Sequence, residues 1–312
     1  MGFRSIRFVD EQNGWLSGSR GVFCSNDGGK NWKRLSAIIG DSGFKENPSR
    51  GLRLEPGRIL WVSAKRALIR GQKGIIDCNC DNDEWTEAND STYLTLARVA
   101  FINYDQGWAV SGEGNLYYTK DQGNKWQSMT YVFETGLIRD LVATAAKELW
   151  AISQGGSVFH TVDGGISWSN KKLPGIYNIL TSIYFYNLDV GWILNLRGSI
   201  YATINRGETW VVILDKSEVP IYTLFDLTFI NGEEGWVLGA PQENSLKSFG
   251  NGMFIYHTKN GGKKWEIQLK DNKDFLISIH ALPNGTVWVA GYHGTVMKST
   301  DNGKNWRNVK VD

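Results

Sequence analysis

One spacing recurs six times in this chain, and few architectures accommodate it. A Ser or Thr is followed two residues later by Asp or Asn, four later by Gly and seven later by Trp. The copies are Ser25/Asp27/Gly29/Trp32, Thr119/Asp121/Gly123/Trp126, Thr161/Asp163/Gly165/Trp168, Thr203/Asn205/Gly207/Trp210, Thr258/Asn260/Gly262/Trp265 and Ser299/Asp301/Gly303/Trp306. The hydroxyl and the carboxylate or amide oxygen accept backbone N–H groups within their own loop. The Gly supplies a left-handed residue to close it, and the Trp returns the chain to apolar surroundings. Each copy is therefore a turn builder. A seventh Trp, Trp85, arrives on schedule with its box eroded, and the Trp-to-Trp steps are 53, 41, 42, 42, 55 and 41 residues. A period near 42 marks a repeat architecture.

A second marker lies 17 or 18 residues before the box Trp in five of the seven units. It is Gly-Trp or another small or apolar residue before Trp, ending at Trp15, Trp61, Trp108, Trp150, Trp192, Trp236 and Trp288. A β-rich run precedes it. A short strand, a Gly turn and a third strand ending in the box follow it. The unit around Asp163 predicts strands near 138–144, 148–152, 157–161 and 167–171, with Gly155-Gly156 and the box as hairpin turns. Four short strands repeated seven times, with no helical period, predict an all-β fold: a seven-bladed β-propeller of four-stranded antiparallel blades. The reading is one propeller over 1–312, with blades near 1–36, 50–88, 93–130, 135–172, 178–214, 222–270 and 275–312. The chain runs from a first strand to a last strand, so ring closure needs no strand shared between the ends.

Composition narrows function by exclusion. A net charge of +2 creates no strong field toward nucleic acid or anionic lipid. No run of 18 apolar residues offers a membrane span. Met1 to Ile6 contain no apolar export segment, which predicts an internal protein or a trimmed mature chain. Three cysteines, Cys24, Cys78 and Cys80, do not suggest a disulfide framework. Cys78 and Cys80 beside Asp81 and Asp83 lack partners at zinc spacing, so no metal and no cofactor is expected.

The insertions point to a face. In a propeller the links between blades and the second-to-third-strand loops open opposite the boxes. Segments 37–49 and 240–252 lengthen such loops in blades 1–2 and 6, and long loops on a rigid scaffold commonly carry function. Aromatics just before the first strands, Phe44, Tyr93, Phe133, Tyr177, Tyr222 and Phe275, either ring the channel mouth or wedge between blades. Phe249 lies in the blade-6 insertion. In blade 2, Trp61 places the third strand at 67–70 and turns 71–84 into a loop in place of the box. His160 and His257 occupy equivalent third-strand positions, which reads as structural.

The whole unit, Phe8-Val9-Asp10, Gly14-Trp15, Gly18 to Gly21 and Ser25 to Trp32, with its counterpart Phe101 to Trp126, resembles the photosystem II stability/assembly factor family of BNR or Asp-box propellers. That resemblance implies a non-enzymatic scaffold, usually exported, that holds a client protein. It also implies an arginine patch, whose nearest counterpart here is Arg50, Arg53, Arg58, Arg66 and Arg70. The expected partner is a protein, with a carbohydrate ligand or sialidase-related glycoside hydrolysis as the alternative, and the expected state is a monomer. Sialidase chemistry is disfavoured because Ser5-Ile6-Arg7-Phe8 lacks the Arg-Ile-Pro pattern. Glycoside hydrolysis needs two carboxylates across a cleft, and Asp140, Asp226 and Glu243 are the candidates. The box residues Asp27, Asp121, Asp163, Asn205, Asn260 and Asp301 are expected to build turns, since a catalytic group need not occur six times. Replacing Asp163 by Ala should weaken folding and leave ligand binding intact.

Overall fold

The computed structural model describes residues 2–35, 58–70, 75–87, 96–133, 137–171, 173, 179–214, 221–241, 253–271 and 274–311. They form seven four-stranded antiparallel sheets, each built from consecutive strands. Blade 1 holds β1 (Phe3–Phe8), β2 (Gly14–Gly18), β3 (Gly21–Ser25) and β4 (Lys33–Arg34). Blade 2 holds β5 (Ile59–Val62), β6 (Arg66–Arg70), β7 (Ile75–Asn79) and β8 (Glu84–Glu87). Blade 3 holds β9 (Leu96–Phe101), β10 (Gly107–Ser111), β11 (Asn115–Thr119) and β12 (Gln127–Val132). Blade 4 holds β13 (Ile138–Ala145), β14 (Glu148–Ser153), β15 (Val158–Thr161) and β16 (Ser169–Lys171). Blade 5 holds β17 (Leu180–Phe185), β18 (Gly191–Asn195), β19 (Ile200–Thr203) and β20 (Val211–Leu214). Blade 6 holds β21 (Ile221–Phe229), β22 (Gly235–Pro241), β23 (Met253–Thr258) and β24 (Glu266–Asp271). Blade 7 holds β25 (Leu276–Ala281), β26 (Val287–Gly291), β27 (Val296–Ser299) and β28 (Arg307–Asn308).

Second strands are the most buried because a neighbouring strand flanks each edge and a neighbouring blade covers each face. β2, β10, β14, β18 and β26 are fully buried. Fourth strands are mostly exposed, as in β16 and β28. The first strands β1, β5, β9, β13, β17, β21 and β25 contact one another in sequence, and β25 meets β1. They therefore surround the axis. Closure of the ring joins two whole blades. Phe8 stacks on Trp288 at 4.4 Å, Trp32 meets Trp288 edge-on, and Lys298 Nζ donates to the Gly28 carbonyl.

The boxes are turns. In blade 4 the Thr161 hydroxyl donates to Asp163 Oδ1 at 2.6 Å and accepts the Gly165 N–H. Asp163 Oδ1 also accepts the N–H groups of Ile166 and Ser167 at 3.0 Å. Asn205 and Asn260 accept the equivalent N–H groups of Thr209 and Lys264. These donors favour the ionised carboxylate, so Asp163 titrates far below the usual range and Asp301 at about 2.

The box glycines also close the ring. A Cβ added to Gly29 would meet Trp288 at 2.2 Å, and one on Gly207 would meet Trp150 at 2.1 Å. Gly123, Gly165, Gly262 and Gly303 likewise press on Ile75, Leu116, Ile213 and Gln268. In each case a box leans on the blade before it. Six of the seven seams are closed this way.

Blade 2 corrects two sequence readings. Trp61 belongs to the first strand and pairs with Leu68. Residues 66–70 are therefore the second strand, and Ala67 occupies the place that Trp15 or Trp108 takes elsewhere. The third strand is β7, so Asn79 falls where other blades have Ser or Thr. Its Oδ1 accepts the Asp81 N–H, and Lys65 pairs with Asp81 at 2.7 Å. The cysteines are not merely loose thiols either, because Cys24 of blade 1 is disulfide-bonded to Cys80 of blade 2. Only Cys78 is free, and it is buried.

Candidate binding site in the central channel

The site begins with a distortion shared by all blades. Every first strand slips register against its partner, the pairing stepping over Arg4, Leu60, Ala97, Arg139, Thr181, Phe225 and Ile277. Such a bulge re-aims the residue that follows. In six blades that residue is Ser5, Arg98, Asp140, Ser182, Asp226 or Ser278.

These residues tie neighbouring first strands together. Asp140 Oδ2 accepts the Ser182 hydroxyl and the Ile183 N–H, both at 3.1 Å. Asp226 Oδ2 accepts the Ser278 hydroxyl at 3.2 Å and the Ile279 N–H at 3.0 Å. Ser278 Oγ accepts the Ile6 N–H, and Arg98 Nε donates to the Arg139 carbonyl. The carboxylates that resembled a catalytic pair thus act as inter-blade acceptors. Glu243 lies outside the described residues.

Arginines converge on the same two carboxylates. Arg58 of blade 2 reaches Asp140 of blade 4 at 3.7 Å, and Arg7 of blade 1 reaches Asp226 of blade 6 at 3.9 Å. Each pair skips an intervening blade, so each spans the inner ring of first strands past one neighbour. Arg70 donates to the Leu96 and Ala97 carbonyls at 3.1 Å. Arg98 lies within the fields of Arg58, Arg70, Arg139 and Asp140. Among the described residues the result is five arginines, Arg7, Arg58, Arg70, Arg98 and Arg139, around two aspartates.

The charge balance shows in the titration of these groups. Burial, then the nearby Arg58, pull Arg7 below its ordinary value despite Asp226. Burial, helped by the other arginines, pulls Arg98 down despite Asp140. Asp140 raises Arg58, whose side chain remains about half exposed at 52%. Arg139 Nε is buried without a hydrogen-bond partner among the described residues. A cluster with excess cationic charge, one exposed guanidinium and one unmet donor suits a carboxylate or another oxyanion.

The residues anticipated from sequence separate. Arg70 joins the cluster, as does Arg58. Arg66 sits at the other end of β6, bound to Asp77 and stacked over Tyr104 at 4.7 Å. Phe133 is 3% exposed and wedges between blades 3 and 4 against Phe159 and Trp168. Phe275 lies between Phe225 and Tyr292. Arg50, Arg53, Phe44, Tyr93, Tyr177 and Phe249, and nearly all of both long loops, fall outside the described residues. Tyr222 lies on β21 with its side chain outside the described set. Arg7, Arg98 and Arg139 went unnoticed in the sequence. A signal existed: Ser5, Arg98, Asp140, Ser182, Asp226 and Ser278 each stand ten residues before a marker Trp.

No described group of His, Cys, Asp and Glu could hold a metal ion. No described helix is long and apolar enough to cross a membrane. The family description "Photosynthesis system II assembly factor YCF48" matches residues 78–217 and 223–312. The chain belongs to this family. Among solved structures it resembles YCF48 bound to D1 peptide, at TM-score 0.70 and 18% identity over 96% of this chain and 93% of that one. YCF48 from Cyanidioschyzon merolae gives TM-score 0.70 and 18% identity over 95% of both chains. The GH74 xyloglucanase from Xanthomonas campestris gives TM-score 0.70 and 12% identity, covering 99% of this chain but 55% of the enzyme. No curated protein matches.

Proposed function

We propose that this propeller is a non-enzymatic scaffold that holds a client protein by an acidic segment or a free chain end at the cationic side of its channel. The observation that carries the reading is the surplus of guanidinium groups, Arg7, Arg58, Arg70, Arg98 and Arg139, over the two aspartates between them. Family membership supports it, as does the capture of a similar propeller with a peptide. The site offers fixed charge and hydrogen-bond donors on a rigid ring, which favours specificity and fast capture over chemistry. Asp140 and Asp226 each have an oxygen committed to the next blade, which weighs against a hydrolytic pair.

Fluorescence anisotropy with a short acidic peptide ending in a free carboxylate tests this. Binding should weaken with added salt. It should fall at least about tenfold in Arg58→Gln and Arg139→Gln, the cost of losing a charged hydrogen bond. An amidated Asn/Gln peptide serves as the comparison. Equal binding of both peptides, or xyloglucan binding that survives both substitutions, would sink the proposal.

A further inference from the structure

The seam between blades 1 and 2 is built unlike the other six. Elsewhere a box glycine presses against the preceding blade, and in blade 2 no box glycine exists. Asp83 stands four residues after Asn79, and Trp85 follows one residue earlier than the repeat requires. The residue that reaches the neighbouring blade is Cys80, bonded to Cys24. Cys24, Cys78 and Cys80 share one apolar cluster with Trp15, Ile59 and Ile76. Among the described residues, polar links across this seam include the Trp15 indole to the Ser63 carbonyl at 2.9 Å and the Lys33 ammonium to the Cys80 carbonyl at 2.8 Å and the Asp81 carbonyl at 3.5 Å. Arg7 and Arg58, both cationic, also act on one another across this seam.

We propose that the Cys24–Cys80 disulfide is a redox latch for blade 2, and through it for the channel arginines that blade carries. A dithiol reductant breaks the S–S bond. Two electrons and two protons pass to Cys24 and Cys80 as thiols, and the reductant leaves as its own disulfide. The seam then keeps its polar links and its apolar contacts but loses its clasp, while six glycine-closed seams stay shut. Blade 2 loosens locally, and Arg58 and Arg70 lose their fixed places. Cys78 does not short-circuit the device. It is buried, and burial raises its thiol pKa, so it offers little thiolate for attack on the bond. The latching step stands on the seam geometry alone, and its effect on client capture rests on the proposed function.

Hydrogen exchange by mass spectrometry, on the full chain with and without a dithiol, reads the latch. Reduction should speed exchange in β5–β8 by at least about tenfold and leave β13–β20 unchanged, as a local opening requires. Cys78→Ser should behave as the parent. Cys24→Ala in the Cys78→Ser background should match the reduced protein without any reductant. Unchanged β5–β8, or acceleration spread evenly over all blades, overturns the latch. Thiol counting in denaturant on air-oxidised protein is the second readout: one reactive thiol supports it and three refute it. If exchange responds but acidic-peptide affinity does not, the latch stands and the client site is elsewhere.

Discussion

At the residue scale, the box glycine does more than turn the chain. Gly207 has φ of +69° and no room for a methyl group against Trp150. Gly207→Ala combines left-handed strain with overpacking and should cost about 2–4 kcal/mol, measured as a fall in urea midpoint at constant m-value. Loss of less than about 1 kcal/mol would mean the seam relaxes freely. His280 makes a separate prediction. Its Nε2 donates to the Phe8 carbonyl at 2.8 Å, and burial beside Arg7 lowers its pKa to about 3. A folded pKa below the unfolded one means full stability above about pH 6.5, lost as pH falls toward 3. The slope from this group approaches about 1.4 kcal/mol per pH unit. His160 and His257 are also lowered by burial and add to the same acid loss. His280→Gln keeps a donor for Phe8, so its stability profile between pH 6.5 and 5 should flatten by about one proton's worth.

At the element scale, the first strands are held sideways by side chains as much as by packing. Asp140→Ala removes the acceptor for Ser182 and Ile183 and strips Arg58 of its partner, with a cost of about 2–4 kcal/mol. Ser182→Ala, which removes one donor and leaves the carboxylate paired elsewhere, should cost about 1 kcal/mol. Equal losses in the two variants would deny Asp140 its central place. The elements also show where the sequence was readable. Seven blades were legible, and in six of them the box and its Trp spacing also placed the strands, because box, turn and strand lie within one short segment. Blade 2 misled because Trp61 sits in a first strand while Ala67 holds the usual Trp position. A bulky residue one strand early mimics the marker, and only pairing reveals the slip. The disulfide was not legible because its cysteines lie 56 residues apart on separate blades. Arg98 and Arg139 looked like ordinary strand residues, since the register slip that turns one and buries part of the other is a tertiary feature.

At the scale of the whole molecule, the ring is a set of seven seams. Cross-linking Cys24 to Cys80 shortens the unfolded chain's freedom by a loop of 56 residues, a stabilisation on the order of 4 kcal/mol in the chain-entropy account. Closure between blades 7 and 1 has no such bond and depends on Trp288, stacked with Phe8 and seated on Gly29. Trp288→Ala should cost about 3–5 kcal/mol and broaden the thermal transition, since the ring then opens before the blades melt. A single sharp transition in calorimetry would show that closure does not govern cooperativity.

The ion pairs between blades that are not neighbours have one more consequence. Arg58 with Asp140 and Arg7 with Asp226 join blade 2 to blade 4 and blade 1 to blade 6. The inner ring is therefore braced by chords as well as by contacts between adjacent blades, and added salt should slacken those chords before it touches the packed seams.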